Sequence, residues 1–133
     1  MSTIEVGLTF KDGFNGVLEA KNTSIQVGGT EGTVAPYDML LGALGSCLYA
    51  TFLDIAVKKR IEYDRVEIKI KGEKRTEVPM TLKEVDIEAV VYGSKAEKEK
   101  GLTQAFQLAT RYCSVFQTVA KVAEMHPTIR FEA

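Results

Sequence analysis

Between Met39 and Leu53 the chain carries no charged residue, and Cys47 stands near the middle of that run. Pro36 suits the first position of a helix, where its missing N–H costs nothing, and Asp38 would complement the dipole in the first turn. At the far end Lys58, Lys59 and Arg60 put cations where the dipole is negative. The stretch predicts a helix over 36–60. A helix that is apolar all round has to be buried all round, so Cys47 is expected inside the central helix of the fold. Gly42, Gly45 and Ser46 are poor helix formers, a helical glycine costing about 1 kcal/mol. Their presence predicts close approach of another helix, of a second subunit, or of a sheet in the same chain. Residues 39–53 fall short of the ~20 a bilayer span needs, and Asp54 follows them, so no membrane segment is expected.

A chain of 133 residues is long enough for one core and too short for two, which predicts a single domain over 1–133. Seventeen basic against eighteen acidic residues give a formal charge of −1, with no electrostatic case for nucleic acid or an anionic membrane. Residues 1–10 alternate apolar and polar side chains and do not form a signal peptide's basic and apolar regions. A soluble cytoplasmic protein is expected.

Ile4, Val6, Leu8 and Phe10 alternate with polar residues or glycine, as in a half-buried strand. Turn residues at 11–13 and 15–16 lead to two further short strands over 17–20 and 24–27, an antiparallel meander. The segment 28–33 is glycine-rich but lacks a nucleotide-binding pattern; it reads as a loop. After the long helix, Val66, Ile68 and Ile70, and then Val85, Ile87, Ala89 and Val91, each line one face of a strand. A charged connection containing Pro79 makes these two a hairpin with a long loop. Basic and acidic residues then face one another across the pair. Ser94 and Glu97 form a capping box for a second helix with an apolar stripe at Leu102, Ala105, Phe106, Leu108 and Ala109. Ser114 and Gln117 form another, for a third helix ending near 125. Pro127 stops it, 128–132 form a last strand, and His126 at the junction reads as a surface or capping residue. The order predicts an α+β fold with largely antiparallel sheet around a long buried central helix.

Cys47 and Cys113 are the two cysteines. Without a CxxC spacing, and with one histidine, they form no zinc motif, and no metal or organic cofactor is read from the chain. Two readings stay open from the residues alone: buried small hydrophobes, or a redox pair. A reactive cysteine acts as thiolate, which a cation, a hydrogen-bond donor or a helix N-terminus stabilises. Cys113, just before Ser114 and two residues from Arg111, has that help locally. Cys47 has none in its own segment, and burial raises a thiol's pKa.

The run Pro36-Tyr37-Asp38-Met39-Leu40-Leu41-Gly42-Ala43-Leu44-Gly45-Ser46-Cys47 resembles the P-x-[DE]-L-L-x-A-x-x-x-x-C signature of the OsmC/Ohr family, the osmotically inducible and organic hydroperoxide resistance proteins. Arg111-Tyr112-Cys113-Ser114-Val115 resembles its second cysteine motif, and the element order matches over essentially the whole chain. The resemblance implies an intertwined homodimer with the long helices at its centre. It also implies a thiol peroxidase that reduces organic hydroperoxides, Cys47 being peroxidatic and Cys113 resolving, with an external dithiol as reductant. Asp38, Tyr37 and Arg111 become candidate supporting residues. The hydroperoxide reductases carry a glutamate directly after the signature proline and an arginine in the first glycine-rich turn; here Tyr37 and Phe14 stand there. Arg111, Arg60 and Lys58 are the candidate replacement cations. The alternative is a non-catalytic small-molecule binding or carrier protein on the same fold.

Overall fold

In a computed structural model describing residues 2–133, the chain divides into two compact units, Met1–Leu40 and Leu41–Ala133. The first holds three strands, β1 (Gly7–Phe10), β2 (Asn15–Glu19) and β3 (Ser24–Gly28), paired antiparallel in the order β1-β2-β3. Gly13 turns the chain between β1 and β2 in a left-handed conformation (φ 57°) that glycine adopts without strain. The meander is as expected, but β1 starts at Gly7, leaving Ile4 and Val6 outside it, and every residue of β1 is exposed. Alternation correctly gave Leu8 and Phe10 a common character; what it could not supply is a layer to cover them. Among the described residues of this unit, Val27 is the buried apolar side chain.

Helix α1 (Pro36–Lys58) begins in the first unit and runs into the second. Its buried residues are Leu44, Leu48, Phe52 and Ala56, one stripe at four-residue spacing. Within one chain the burial is one-sided and not all round: Leu40, Leu53 and Val57 are exposed, and Cys47 is half-buried. Nor does apolar character stop at Asp54. By length and composition alone α1 is apolar enough to cross a membrane. Its stripe nevertheless packs into the core of the second unit, with strand and helix residues on the other side.

That core rests on a second sheet of β4 (Arg65–Lys74), β5 (Leu82–Tyr92) and β6 (Glu124–Glu132), ordered β4-β5-β6. β4 and β5 form the expected long-looped hairpin, with Lys69 opposite Glu88 and Lys71 opposite Asp86. One pairing departs from the antiparallel expectation: β5 and β6 are parallel. Helices α2 (Glu99–Tyr112) and α3 (Ser114–Ala120) lie between them in sequence, and a crossover of this length is what parallel pairing requires. Leu102, Ala105, Phe106 and Ala109 bury the predicted α2 stripe, with Leu108 at its margin.

The helix ends differ from the sequence expectation. Ser94 caps nothing: its hydroxyl is buried without a partner, and α2 is entered through a 3₁₀ turn, Ala96–Lys98, whose leading residue Lys95 makes no side-chain cap. Helix α3 ends at Ala120, not near 125, and Pro127 lies inside β6 instead of stopping a helix. An edge strand tolerates the missing N–H, and Thr128 Oγ1 donates to the Ile87 carbonyl beside it at 3.3 Å.

Gly45 explains part of the softness of α1. A β-carbon there would stand 3.0 Å from Ile70 Cδ1, so the helix lies close on β4. Gly42 faces open space.

Candidate active site

Cys113 is the residue at which two helices meet. Its N–H donates to Ala109 O at 2.8 Å, closing α2, and its carbonyl accepts from Gln117 N at 3.0 Å, opening α3. Extended backbone (φ −69°, ψ 114°) sets the angle between them. The N-cap of α3 is thus Cys113 itself and not the predicted Ser114: its Sγ accepts from the Phe116 N–H at 3.3 Å. Gln117 does not reach back to a capping hydroxyl either. Its Nε2 donates to Thr110 O at 2.8 Å, tying α3 to the last turns of α2.

Cys47 comes to this junction from the middle of α1, three residues past Leu44 and one before Leu48, both buried. The two thiols lie close enough to influence each other's ionisation, and both are free, with no disulfide between them. Their environments push them apart. At Cys47 burial favours the thiol, but hydrogen bonds from the Cys113 thiol, the Val115 N–H, and the Ser114 hydroxyl and N–H outweigh it and hold its pKa below the ordinary value. At Cys113 burial and the interaction with Cys47 push the thiol up to about 11, against opposing hydrogen bonds from the Phe116 and Val115 N–H groups. Local sequence alone favours Cys113 as the activated thiol. The helix start that was to activate it directs its first donors at Cys47, while Cys113 is fully buried. Only the tertiary approach of α1 to residues 113–115 contains that information.

Arg111 is exposed in the last turn of α2 and is not among the largest influences on Cys47. Tyr37 and Asp38 lie in the first turn of α1, described with the first unit, and both are exposed. Of the other candidate cations, Lys58 closes α1 and Arg60 follows with a left-handed φ of 58°. Phe14 is exposed and stacks on Phe10, ring centroids 6.0 Å apart. Sequence reasoning missed Ser114 and Val115 as the groups that act on Cys47. Their only sequence signal was their place at a helix start following the second cysteine.

The family model described as OsmC-like protein matches residues 29–126. The chain belongs to the OsmC-like family. No curated protein matches it. Among solved structures, a hypothetical protein from Aquifex aeolicus VF5 is 28% identical over the full length of both chains, with a TM-score of 0.83. An OsmC-like protein from Mycoplasma pneumoniae shares the fold at 14% identity, 99% of each chain and a TM-score of 0.87. So does the organic hydroperoxide resistance protein OhrB of Bacillus subtilis, at 14% identity, 97% of this chain, 98% of that one and a TM-score of 0.67. The α+β architecture of this OsmC-like chain, two sheets with three helices, is that of the family.

Proposed function

We propose that this OsmC-like protein is a thiol peroxidase that reduces organic hydroperoxides, with Cys47 peroxidatic and Cys113 resolving, acting in the cytoplasm as a homodimer of 1–133 domains. The observation that carries the reading is the pairing of a thiol held low with a neighbouring thiol pushed up to about 11. In such a pair Cys47 loses its proton before Cys113 does, the order a two-cysteine peroxidase needs. The Cys47 thiolate attacks the distal oxygen of the hydroperoxide. An S–O bond forms and the O–O bond breaks, its electron pair leaving on an alkoxide that takes a proton and departs as the alcohol. Cys113 sulfur then attacks the Cys47 sulfenic acid; the S–S bond forms, the S–O bond breaks, and hydroxide leaves as water with the thiol's proton. An external dithiol reduces the disulfide by exchange.

The order of events follows from the same contacts. Part of what raises Cys113 is its hydrogen bond to Cys47 and the negative charge there. Oxidation of Cys47 to a neutral sulfenic acid removes that charge, so Cys113 becomes easier to deprotonate once it is needed. The dimer is supported by the apolar side chains α1 leaves exposed, Leu40, Leu53 and Val57, because an apolar helix is stable in water only when covered.

Purified protein given cumene hydroperoxide and dithiothreitol is expected to consume the peroxide and Cys47→Ser to stop it, while Cys113→Ser, given peroxide without dithiothreitol, is expected to complete one turnover and hold a sulfenic acid that dimedone traps. Absence of consumption by the unaltered protein, or its persistence in Cys47→Ser, overturns the reading. A second reading, non-catalytic binding of a small molecule, has one observation in its favour. A cleft of about 620 Å³, lined by Tyr49, Arg60, Tyr63, Asp64 and Lys95 among others, lies beside the C-terminal half of α1, within the volume range of ligand sites.

A further inference from the structure

The outer face of the second sheet gathers carboxylates and the only histidine at one corner. Parallel pairing sets Glu84 opposite Glu124 and Asp86 opposite His126, and the antiparallel neighbour adds Glu73 opposite Glu84 and Lys71 opposite Asp86. One row across three strands is therefore Glu73, Glu84 and Glu124. Like charges directly opposite destabilise a sheet, and the next row brings a single lysine against a fourth carboxylate. Within this corner His126 Nε2 lies 3.1 Å from Glu84 Oε1 and 3.9 Å from Glu124 Oε1, and one donor atom from each of the three side chains lies within 4.8 Å of the others.

We propose that Glu84, Glu124 and His126 form a binding site for one divalent transition-metal ion of the zinc class, completed by water. Bonds of about 2.0–2.1 Å in tetrahedral geometry separate neighbouring donor atoms by about 3.3 Å, and the two distances from Nε2 bracket that value. One imidazole with two carboxylates suits zinc, cobalt and nickel better than calcium or magnesium, which favour all-oxygen sets. The backbone holds the donors in place. Glu124 and His126 are two apart on one strand and share a face, and Pro127 restricts the residue before it to extended conformations. Glu84 comes from the neighbouring strand, so the ion would link edge strand β6 to β5. His126 and Glu84 each keep 39% of their side-chain surface exposed, which leaves room for an ion and its water. Sequence spacing hides the site, because 42 positions separate the histidine from Glu84 and only strand register unites them.

Cobalt titration separates this site from the two thiols. The full chain, reduced, is titrated with CoCl₂ while visible and near-ultraviolet absorption is followed, and with ZnCl₂ in a calorimeter. One equivalent is expected to bind with weak visible bands and no thiolate-to-cobalt charge transfer. His126→Ala is expected to weaken zinc binding about 100-fold and Glu124→Gln about tenfold, losses of the size that disturbing a metal site produces. Glu124 is the most exposed of the three (74% of its side chain), so its variant decides the matter if His126→Ala folds poorly by circular dichroism. No saturable binding, a thiolate charge-transfer band as the only signal, or unchanged affinity in Glu124→Gln overturns the site.

Discussion

The two units of the chain use the same strand pattern to opposite ends. In Leu41–Ala133 the inner residues of β5, Val85, Ile87, Ala89 and Val91, meet α1 and α2 in one core and are at most 2% exposed. In Met1–Leu40 the equivalent positions, Leu8, Phe10 and Ile25, keep 52, 45 and 36% of their surface. Alternation states which side chains share a face. It does not state whether another layer covers that face, and a small meander has little stability of its own without one.

Substitution tests that contrast most strongly in the two cores. Leu48, fully buried, is expected to cost about 2–5 kcal/mol when cut to alanine, the transfer loss plus the cavity. Phe10→Ser, at a half-exposed site, is expected to change the stability of an isolated chain by no more than about 1 kcal/mol, and to shift sedimentation toward monomer if β1 contributes to a dimer. Urea unfolding at low protein concentration reads both. A loss in Phe10→Ser as large as in Leu48→Ala, where no dimer is present, would break the contrast.

The thiol pair gives the next effects. Cys113→Ser keeps an O–H able to donate to Cys47, whereas Cys113→Ala removes the donor. The pH profile of Cys47 alkylation by iodoacetamide is expected to move up in Cys113→Ala and to stay near the wild-type position in Cys113→Ser. Ser114→Ala, losing one of several donors, is expected to move it up by less. Equal profiles in all three would show that Cys47 is tuned from elsewhere.

Stability against pH follows with opposite signs at the two sulfurs. A folded value raised to about 11 lies above the ordinary thiol value of about 8.5, so the contribution of Cys113 is full below about pH 8.5 and lost as pH rises toward 11. Cys47, held low, contributes above the ordinary thiol value and fades as pH falls through its own. The urea midpoint of the reduced protein is therefore expected to drop between about pH 9 and 11, and Cys113→Val to flatten that drop.

What could be read in advance divides along the range of the forces involved. The faces of β4 and β5 were legible because alternation acts between residues two apart, and the α2 stripe because helical neighbours are three or four apart. The two cysteines were legible as a pair through their motifs. Their electrostatic order was not, because the donors on Cys47 come from residues 113–115, far along the chain. The local signals at Ser94 and Ser114 were overridden by tertiary fit: one hydroxyl is buried without a partner, and at the other helix the sulfur of Cys113 takes the cap. Pro127 misled for a related reason. Proline stops a helix, but it is tolerated in an edge strand, and only the sheet order reveals that β6 is one.

The smallest expected effect is the most discriminating about what covers α1. Gly42 and Gly45 are both helical, so alanine at either gains up to about 1 kcal/mol of helix propensity. At Gly45 the new methyl stands 3.0 Å from Ile70 Cδ1, and the end of that side chain has to give way, which offsets the gain and leaves Gly45→Ala near neutral. At Gly42 nothing lies within 4 Å, so the isolated chain is expected to gain stability in Gly42→Ala. A second copy packed over that turn of α1 reverses the sign, because the added methyl then occupies space the partner needs. Thermal unfolding of Gly42→Ala at two protein concentrations separates the cases. Stabilisation at both means that this turn of α1 stays uncovered. Stabilisation when dilute, with loss when concentrated, places the helix at the centre of a dimer and accounts for the glycine.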